Sequence, residues 1–115
     1  MYGETGRITL VGVGGMGWHW VRSTLLHPRW RIASLVDVNE EALKRAATEA
    51  GVPVDCCFGA LEEALDAVPS DAVLVVVPIA HHYRCIRASL EAGRHVLTEK
   101  PFVTEMAQAR ELVDM

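Results

Sequence analysis

Long apolar runs and an excess of basic residues are both missing from this sequence of 115 residues. No stretch approaches the roughly 18 consecutive apolar residues typical of a membrane helix, and the first seven residues lack the long apolar segment of a secretory signal. The 15 Asp and Glu residues outnumber the 11 Lys and Arg residues, so the formal net charge is -4. Because basic surfaces bind nucleic acids and anionic membranes, neither is an expected partner, and we expect a cytoplasmic protein.

The few cysteines lack the spacing of a disulfide framework or a zinc site. There are three, Cys56, Cys57 and Cys85, an odd number with an adjacent pair and no C-x-x-C. We interpret them as small buried hydrophobic residues. His81 and His82 are also adjacent, and neighbouring residues on a helix point about 100° apart. No carboxylate or cysteine completes a metal-binding cluster with them. The sequence therefore predicts no metal site, and we expect capping or packing roles for both histidines.

The pattern that is present is an alternation of short apolar runs with amphipathic helical segments. Half of the residues are hydrophobic, enough for one core in a domain of this length. Asn39 and Thr104 are candidate helix N-caps, and Gly51 and Gly93 are candidate helix ends. Strands are predicted at 7–13, 31–36, 54–57, 71–77 and 95–98, and helices at 16 to about 27, 40–50, 61–68, about 80–92 and 104–115. This alternation predicts the α/β class, with a doubly wound parallel sheet in three αβα layers.

A glycine motif, GVGGMG at 12–17, follows the first predicted strand and opens the first predicted helix. In the pattern G-x-G-x-x-G, Gly12 permits a tight turn, Gly14 lets a diphosphate approach the backbone, and Gly17 lets the helix pack close to the strand. Gly15 and Met16 complete the loop, and the free N–H groups of the helix would bind the phosphates. The alternative is a glycine-rich turn without a ligand.

Asp37 stands at the carboxyl end of the second predicted strand, about 20 residues after the last glycine, where an acid binds the adenosine ribose hydroxyls. The alternative is an ordinary strand-end acid or helix cap. Val38 follows it, and no cation directly follows to hold a 2'-phosphate, so we predict NAD in preference to NADP. Arg45 is near enough in sequence to weaken this preference.

The segment that follows the last predicted strand carries a family resemblance. Residues 91–101, EAGRHVLTEKP, resemble the A-G-K-H-V-L-x-E-K-P signature of the glucose–fructose oxidoreductase, inositol dehydrogenase and MocA (Gfo/Idh/MocA) family. Together with the glycine motif, Asp37, and the spacing of Pro78 and His82, the resemblance covers nearly the whole chain in the expected order.

The resemblance implies a Rossmann-type NAD(P)-binding domain over residues 1–115, cut off before its last strand or strands and before a C-terminal substrate domain. It implies an oxidoreductase that transfers hydride between nicotinamide and a sugar, cyclitol or related polyol. Lys100 would be catalytic, stabilising charge on the reacting oxygen and assisting proton transfer, and would also contact the cofactor. Glu99 would lie near the nicotinamide ribose, and Pro78 and His82 near the nicotinamide. The alternative for Glu99 and Lys100 is a solvated ion pair.

The sequence departs from the family pattern at two positions and leaves other functions open. Val77 and Ile79 stand where the family's T-P-N-x-x-H segment has Thr and Asn, so the hydrogen bonds of those side chains are lost. Without the substrate domain, through which the family also forms homo-oligomers, turnover by this chain alone is doubtful. The alternatives are a non-catalytic NAD(H)-binding sensor and, ranked last, a structural or interaction domain.

Overall fold

The computed structural model describes residues 6–14, 16–26, 28–98, 103 and 105–115. Its parallel sheet has the strand order β3-β2-β1-β4-β5. The strands are β1 Gly6–Val11, β2 Trp30–Val36, β3 Cys57–Phe58, β4 Ala72–Val75 and β5 His95–Thr98. The helices are α1 Met16–Leu25, α2 Glu40–Ala50, α3 Leu61–Ala67, α4 His82–Glu91 and α5 Met106–Asp114, with short 3-10 helices at Val54–Cys56 and Ile79–His81.

Two hydrophobic cores lie on opposite faces of the sheet. Successive strand residues point to opposite faces, so that Leu10 packs in a core with α1 and α2, and Val11 packs in a core with α3, α4 and α5. In β4, Leu74 and its neighbour Val75 are divided between the same two cores, and both are buried. The predicted three-layer α/β class and the two-sided burial of this strand are confirmed.

Helix α2 shows how local sequence sets the boundaries of an element. The Asn39 side chain accepts a hydrogen bond from the Ala42 N–H at 3.1 Å and satisfies a free donor of the first turn. At the other end, Gly51 has φ +69°, the left-handed conformation that glycine adopts without a steric penalty. The predicted range 40–50 and both end signals are confirmed.

Several other predicted boundaries were wrong by one to three residues. Strand β1 ends at Val11 instead of residue 13, because Gly12 has φ +91° and turns the chain out of the sheet. Strand β4 ends at Val75 instead of residue 77, and helix α1 ends at Leu25 instead of about residue 27. The predicted extended piece 54–57 is mostly a 3-10 turn at Val54–Cys56, closed by an N–H to C=O bond from Cys56 to Pro53.

The cysteines and the α5 cap also differ from expectation. Cys85 is buried as predicted, but Cys56 and Cys57 are only half-buried. Helix α5 has Glu105 at its N-cap, without a side-chain hydrogen bond, and the predicted cap Thr104 lies outside the described residues.

One face of the sheet beside β5 is open in the described part of the chain. An apolar groove of about 550 Å³ lies between α1 and the β4–β5 strands, with Trp20, Trp30 and Leu97 among its walls. Leu97 is 57% exposed. None of the described helices has the length and apolar character needed to span a bilayer.

Candidate functional site

The strands end in one row, which brings distant parts of the sequence to the same edge of the sheet. Val11 of β1 pairs with Val36 of β2 and with Val75 of β4. Val36 pairs in turn with Phe58, and Val75 with Thr98. Because all the strands are parallel, the residues that follow these five share the carboxyl edge. The connection after β1, through α1, and the connection after its neighbour β4, through α4, lie on opposite faces of the sheet. Ligands of open α/β sheets bind at such a point.

The glycine motif forms a tight turn that leaves β1 and enters α1. A Cβ on Gly12 would run into the Val76 backbone carbonyl, and its φ of +91° disfavours any other residue. A Cβ on Gly17 would overlap the Gly12 carbonyl oxygen, so the first turn of α1 packs directly on the strand end. In contrast, a Cβ on Gly14 would find only the Ala42 Cβ, at 3.9 Å. The turn is therefore closely packed at Gly12 and Gly17 and open at Gly14.

Asp37 ties this turn to the end of β2. One carboxylate oxygen accepts the Val13 N–H at 2.8 Å, and the other accepts the Asn39 N–H at 2.8 Å. The Asp37 N–H donates to the Phe58 carbonyl at 3.1 Å. The carboxylate thus holds the glycine turn and the start of α2 in place, and each of its oxygens keeps a lone pair for a further donor.

A crevice of about 500 Å³ runs along this edge. One wall consists of the glycine turn with Asp37 and Val38. The last residues of β1 and β2, Val11 and Val36, and the two residues after β4, Val76 and Val77, also line the crevice. The remaining lining residues follow β3 and β4 in sequence: Gly59, Ala60, Leu61, Pro78, His81, Arg84 and Cys85. The walls are mainly apolar, and Asp37 supplies the carboxylate.

The chain after β4 is held by His82. Its imidazole is 2% exposed, and its Nε2 lies 2.9 Å from the Val77 carbonyl oxygen. This contact shapes the segment from Val77 to His81, whose Pro78 lines the crevice. The expected packing role of His82 is confirmed, whereas His81 is exposed and occupies the N-cap position of α4 without a side-chain hydrogen bond. Burial raises the pKa of the neighbouring Cys85 thiol, so this cysteine stays protonated and apolar.

Some predicted site residues lie outside the residues that the structure describes, and some residues that line the crevice were not predicted. Gly15, Glu99 and Lys100 are outside the described residues. The lining residues after β3 were missed because a two-residue strand leaves almost no periodic signal. Arg84 was missed too, although it lies three residues after His81, which also lines the crevice. Within the described ranges, no three His, Cys, Asp or Glu side chains cluster as a metal site.

Comparison with known proteins points to one family. The GFO_IDH_MocA family model, described as an oxidoreductase family with an NAD-binding Rossmann fold, matches residues 6–115. Inositol 2-dehydrogenase of Leifsonia xyli subsp. xyli is 33% identical over 109 residues, covering 91% of this chain and 31% of that protein. D-xylose 1-dehydrogenase (NADP(+)) of Hypocrea jecorina is 30% identical over 115 residues, covering 91% of this chain and 29% of that protein.

A solved structure shows the same likeness. The crystal structure of scyllo-inositol dehydrogenase from Lactobacillus casei with bound cofactor NAD(H) and scyllo-inositol matches with a TM-score of 0.88 and 25% identity, covering 95% of this chain and 32% of that chain. This chain thus spans about a third of the length of these relatives. All three are dehydrogenases, and none supports a non-catalytic sensor.

Proposed function

Because this chain belongs to the Gfo/Idh/MocA oxidoreductase family and has its NAD-binding Rossmann fold, we propose that it serves an enzyme that transfers hydride to or from a sugar, cyclitol or related polyol. The observation that carries the proposal is the crevice at the carboxyl edge, where the open backbone at Gly14 and the Asp37 carboxylate face one space. The substrate class rests on the dehydrogenases that the chain resembles.

The residues present fit a dinucleotide. A diphosphate can approach the backbone at Gly14, where a side chain would otherwise stand. Helix α1 begins directly after this turn, and the N–H groups of its first turn carry a partial positive charge that favours an anion. The crevice volume, about 500 Å³, falls within the range of about 300–1,000 Å³ that is usual for ligand pockets.

The predicted cofactor-binding residues are assigned to the diphosphate, the adenosine ribose and the nicotinamide end of the dinucleotide. The diphosphate is held by the backbone of the glycine motif, namely Gly12, Gly14, Gly15, Met16 and Gly17. Asp37 binds the adenosine ribose. Pro78 shapes the loop at the nicotinamide end, and His82 acts by fixing that loop through the Val77 carbonyl. Glu99 is assigned to the nicotinamide ribose.

The chemistry of the proposed reaction depends on Lys100. When bound, the nicotinamide accepts or supplies the hydride. Lys100 follows the β5 strand by two residues in sequence, and β5 ends at the same edge as the crevice. We assign its Nζ ammonium to the reacting oxygen of the substrate, where it stabilises negative charge and assists proton transfer.

We propose a preference for NAD over NADP on the basis of Asp37. Its carboxylate can accept hydrogen bonds from ribose hydroxyls but repels a 2'-phosphate. Val38, the next residue, is 90% exposed and apolar, so it offers no compensating donor. One relative is named as an NADP(+) enzyme, so the preference is a property to be measured on this chain.

The organisation of the whole protein is proposed from its relatives. We propose that residues 1–115 form the dinucleotide-binding domain, and that a second domain supplies the substrate pocket and the contacts of a homo-oligomer. We also propose a cytoplasmic location, where NAD(H) is available, with neither nucleic acid nor membrane as a partner.

The test is a titration of the purified chain with NADH and NADPH, followed by tryptophan fluorescence. Saturable binding of NADH, tighter than that of NADPH and abolished by Gly14→Val, supports the proposal. The control is Ala107→Val on the exposed side of α5, which enlarges a side chain away from the crevice and should leave binding unchanged. A folded chain that binds neither nucleotide contradicts the proposed function.

A further inference from the structure

Arg84 lines the same crevice as Asp37. It lies in α4, and His81, at the N-cap of that helix, also lines the crevice. Among the described residues that line this crevice, Arg84 is the one with a permanent positive charge.

The Arg84 side chain is held only loosely. Its Nη1 lies 3.9 Å from the Glu62 Oε2 on α3, at the outer limit of an ion pair. The two side chains are 65% and 55% exposed. Exposed pairs of this length contribute little to stability, since water and salt screen them. The guanidinium can therefore leave Glu62 without disturbing the fold.

The crevice that Arg84 lines has open space at Gly59. If Asp37 holds the adenosine ribose, Val38, Gly59 and Arg84 line the same crevice and are available to the adenine. A Cβ on Gly59 would meet no heavy atom within 4 Å, so the space there is open. A guanidinium is planar and weakly hydrated, and it stacks well on aromatic faces.

We propose that Arg84 exchanges Glu62 for the adenine ring of the bound dinucleotide, and that it is an affinity determinant for the adenosine half of NAD(H). This inference rests on the proposed function, because Asp37 must hold the adenosine ribose. Glu62 then competes with the ligand for the guanidinium. Removing the Arg84 guanidinium should therefore weaken binding, whereas removing the Glu62 charge should not.

The experiment compares Arg84→Ala with Arg87→Ala. Arg87 lies on the same helix but bonds Glu91 and Glu111 instead of lining the crevice. Dissociation constants are measured for NADH, NADPH and ADP-ribose, with circular dichroism to verify folding. We expect Arg84→Ala to weaken NADH and ADP-ribose by the same factor, about five- to tenfold, the size of one cation–π contact. Arg87→Ala should bind as the wild type does.

Two further variants test the geometry. Glu62→Gln should bind both ligands as tightly as the wild type or up to about threefold more tightly, because it frees the guanidinium. Arg84→Lys keeps the charge but loses the planar guanidinium, so it should recover only part of the affinity that Arg84→Ala loses. Full recovery with lysine would overturn stacking, as would a larger loss for NADPH than for NADH, which would place Arg84 at the 2'-phosphate.

The outcomes separate this inference from the proposed function. If the wild type binds NADH and Arg84→Ala binds it within twofold, the inference alone fails. If the folded wild type binds neither NADH nor ADP-ribose, both fail together.

Discussion

Two alanine substitutions in the glycine motif should have opposite consequences, although they add the same methyl group three residues apart. A Cβ on Gly14 would meet only the Ala42 Cβ, at 3.9 Å, an ordinary contact distance. A Cβ on Gly17 would overlap the Gly12 carbonyl oxygen, which belongs to the backbone and cannot rotate away. Gly14→Ala should therefore spare the fold and impair the ligand, whereas Gly17→Ala should damage the fold itself.

The magnitudes follow from these contacts. For Gly17→Ala, α1 must move off the end of β1, and such overpacking costs about 1–3 kcal/mol. For a domain of this size, each kcal/mol lowers the melting temperature by about 4 °C. We expect Gly17→Ala to melt about 4–12 °C lower than the wild type. Gly14→Ala should melt at or slightly above the wild-type temperature, because alanine restricts the unfolded chain.

Thermal melts and NADH titrations together check this prediction. The Gly14→Ala variant should keep its melting temperature and lose at least about tenfold in NADH affinity, since its methyl group occupies the space assigned to the diphosphate. The reasoning is refuted if Gly17→Ala is as stable as the wild type, or if Gly14→Ala binds NADH normally. Either result would mean that the turn lacks the close contact at Gly17 or the open space at Gly14.

Four further substitutions test the site, a surface ion pair and the core, the last with an exposed control position. Asp37→Ala should destabilise the chain by about 1–3 kcal/mol in urea unfolding, because the N–H groups of Val13 and Asn39 lose their acceptor, and NADH titration should show weaker binding. Bonding to Arg7 lowers the pKa of Asp71, so this pair stabilises the fold above about pH 4 and its contribution is lost as the pH falls further. Unfolding of Asp71→Asn at several pH values should show a weaker acid dependence than the wild type, and an equal dependence would contradict the assignment. Leu10→Ala removes a fully buried side chain and should cost about 2–5 kcal/mol in the same unfolding assay, whereas Leu26→Ala, at an 86% exposed position, should cost almost nothing.

Elements with strong local signals could be predicted from the sequence. Helix α2 begins and ends where Asn39 and Gly51 place it, because a side-chain cap and a left-handed glycine act within a few residues. Strand β5 matches the predicted range 95–98 for a similar reason, since Gly93 ends the preceding helix with φ +76°. The end of β1 was missed because the positive φ of Gly12 is one of several conformations open to a glycine, and the sequence does not show which of them the glycine adopts.

The sequence by itself determined the alternation of strands and helices, the glycine turn, the acid at the end of the second strand and the family signature. These depend on periodicity, on backbone freedom and on short motifs, all of which are local. The tertiary structure alone decided that the strand ends fall in one row, that Asp37 bonds the Val13 N–H, and that Arg84 faces the same crevice as Gly14. The physical reason is register: parallel pairing over long crossovers sets which distant residues meet, and no local pattern encodes that pairing.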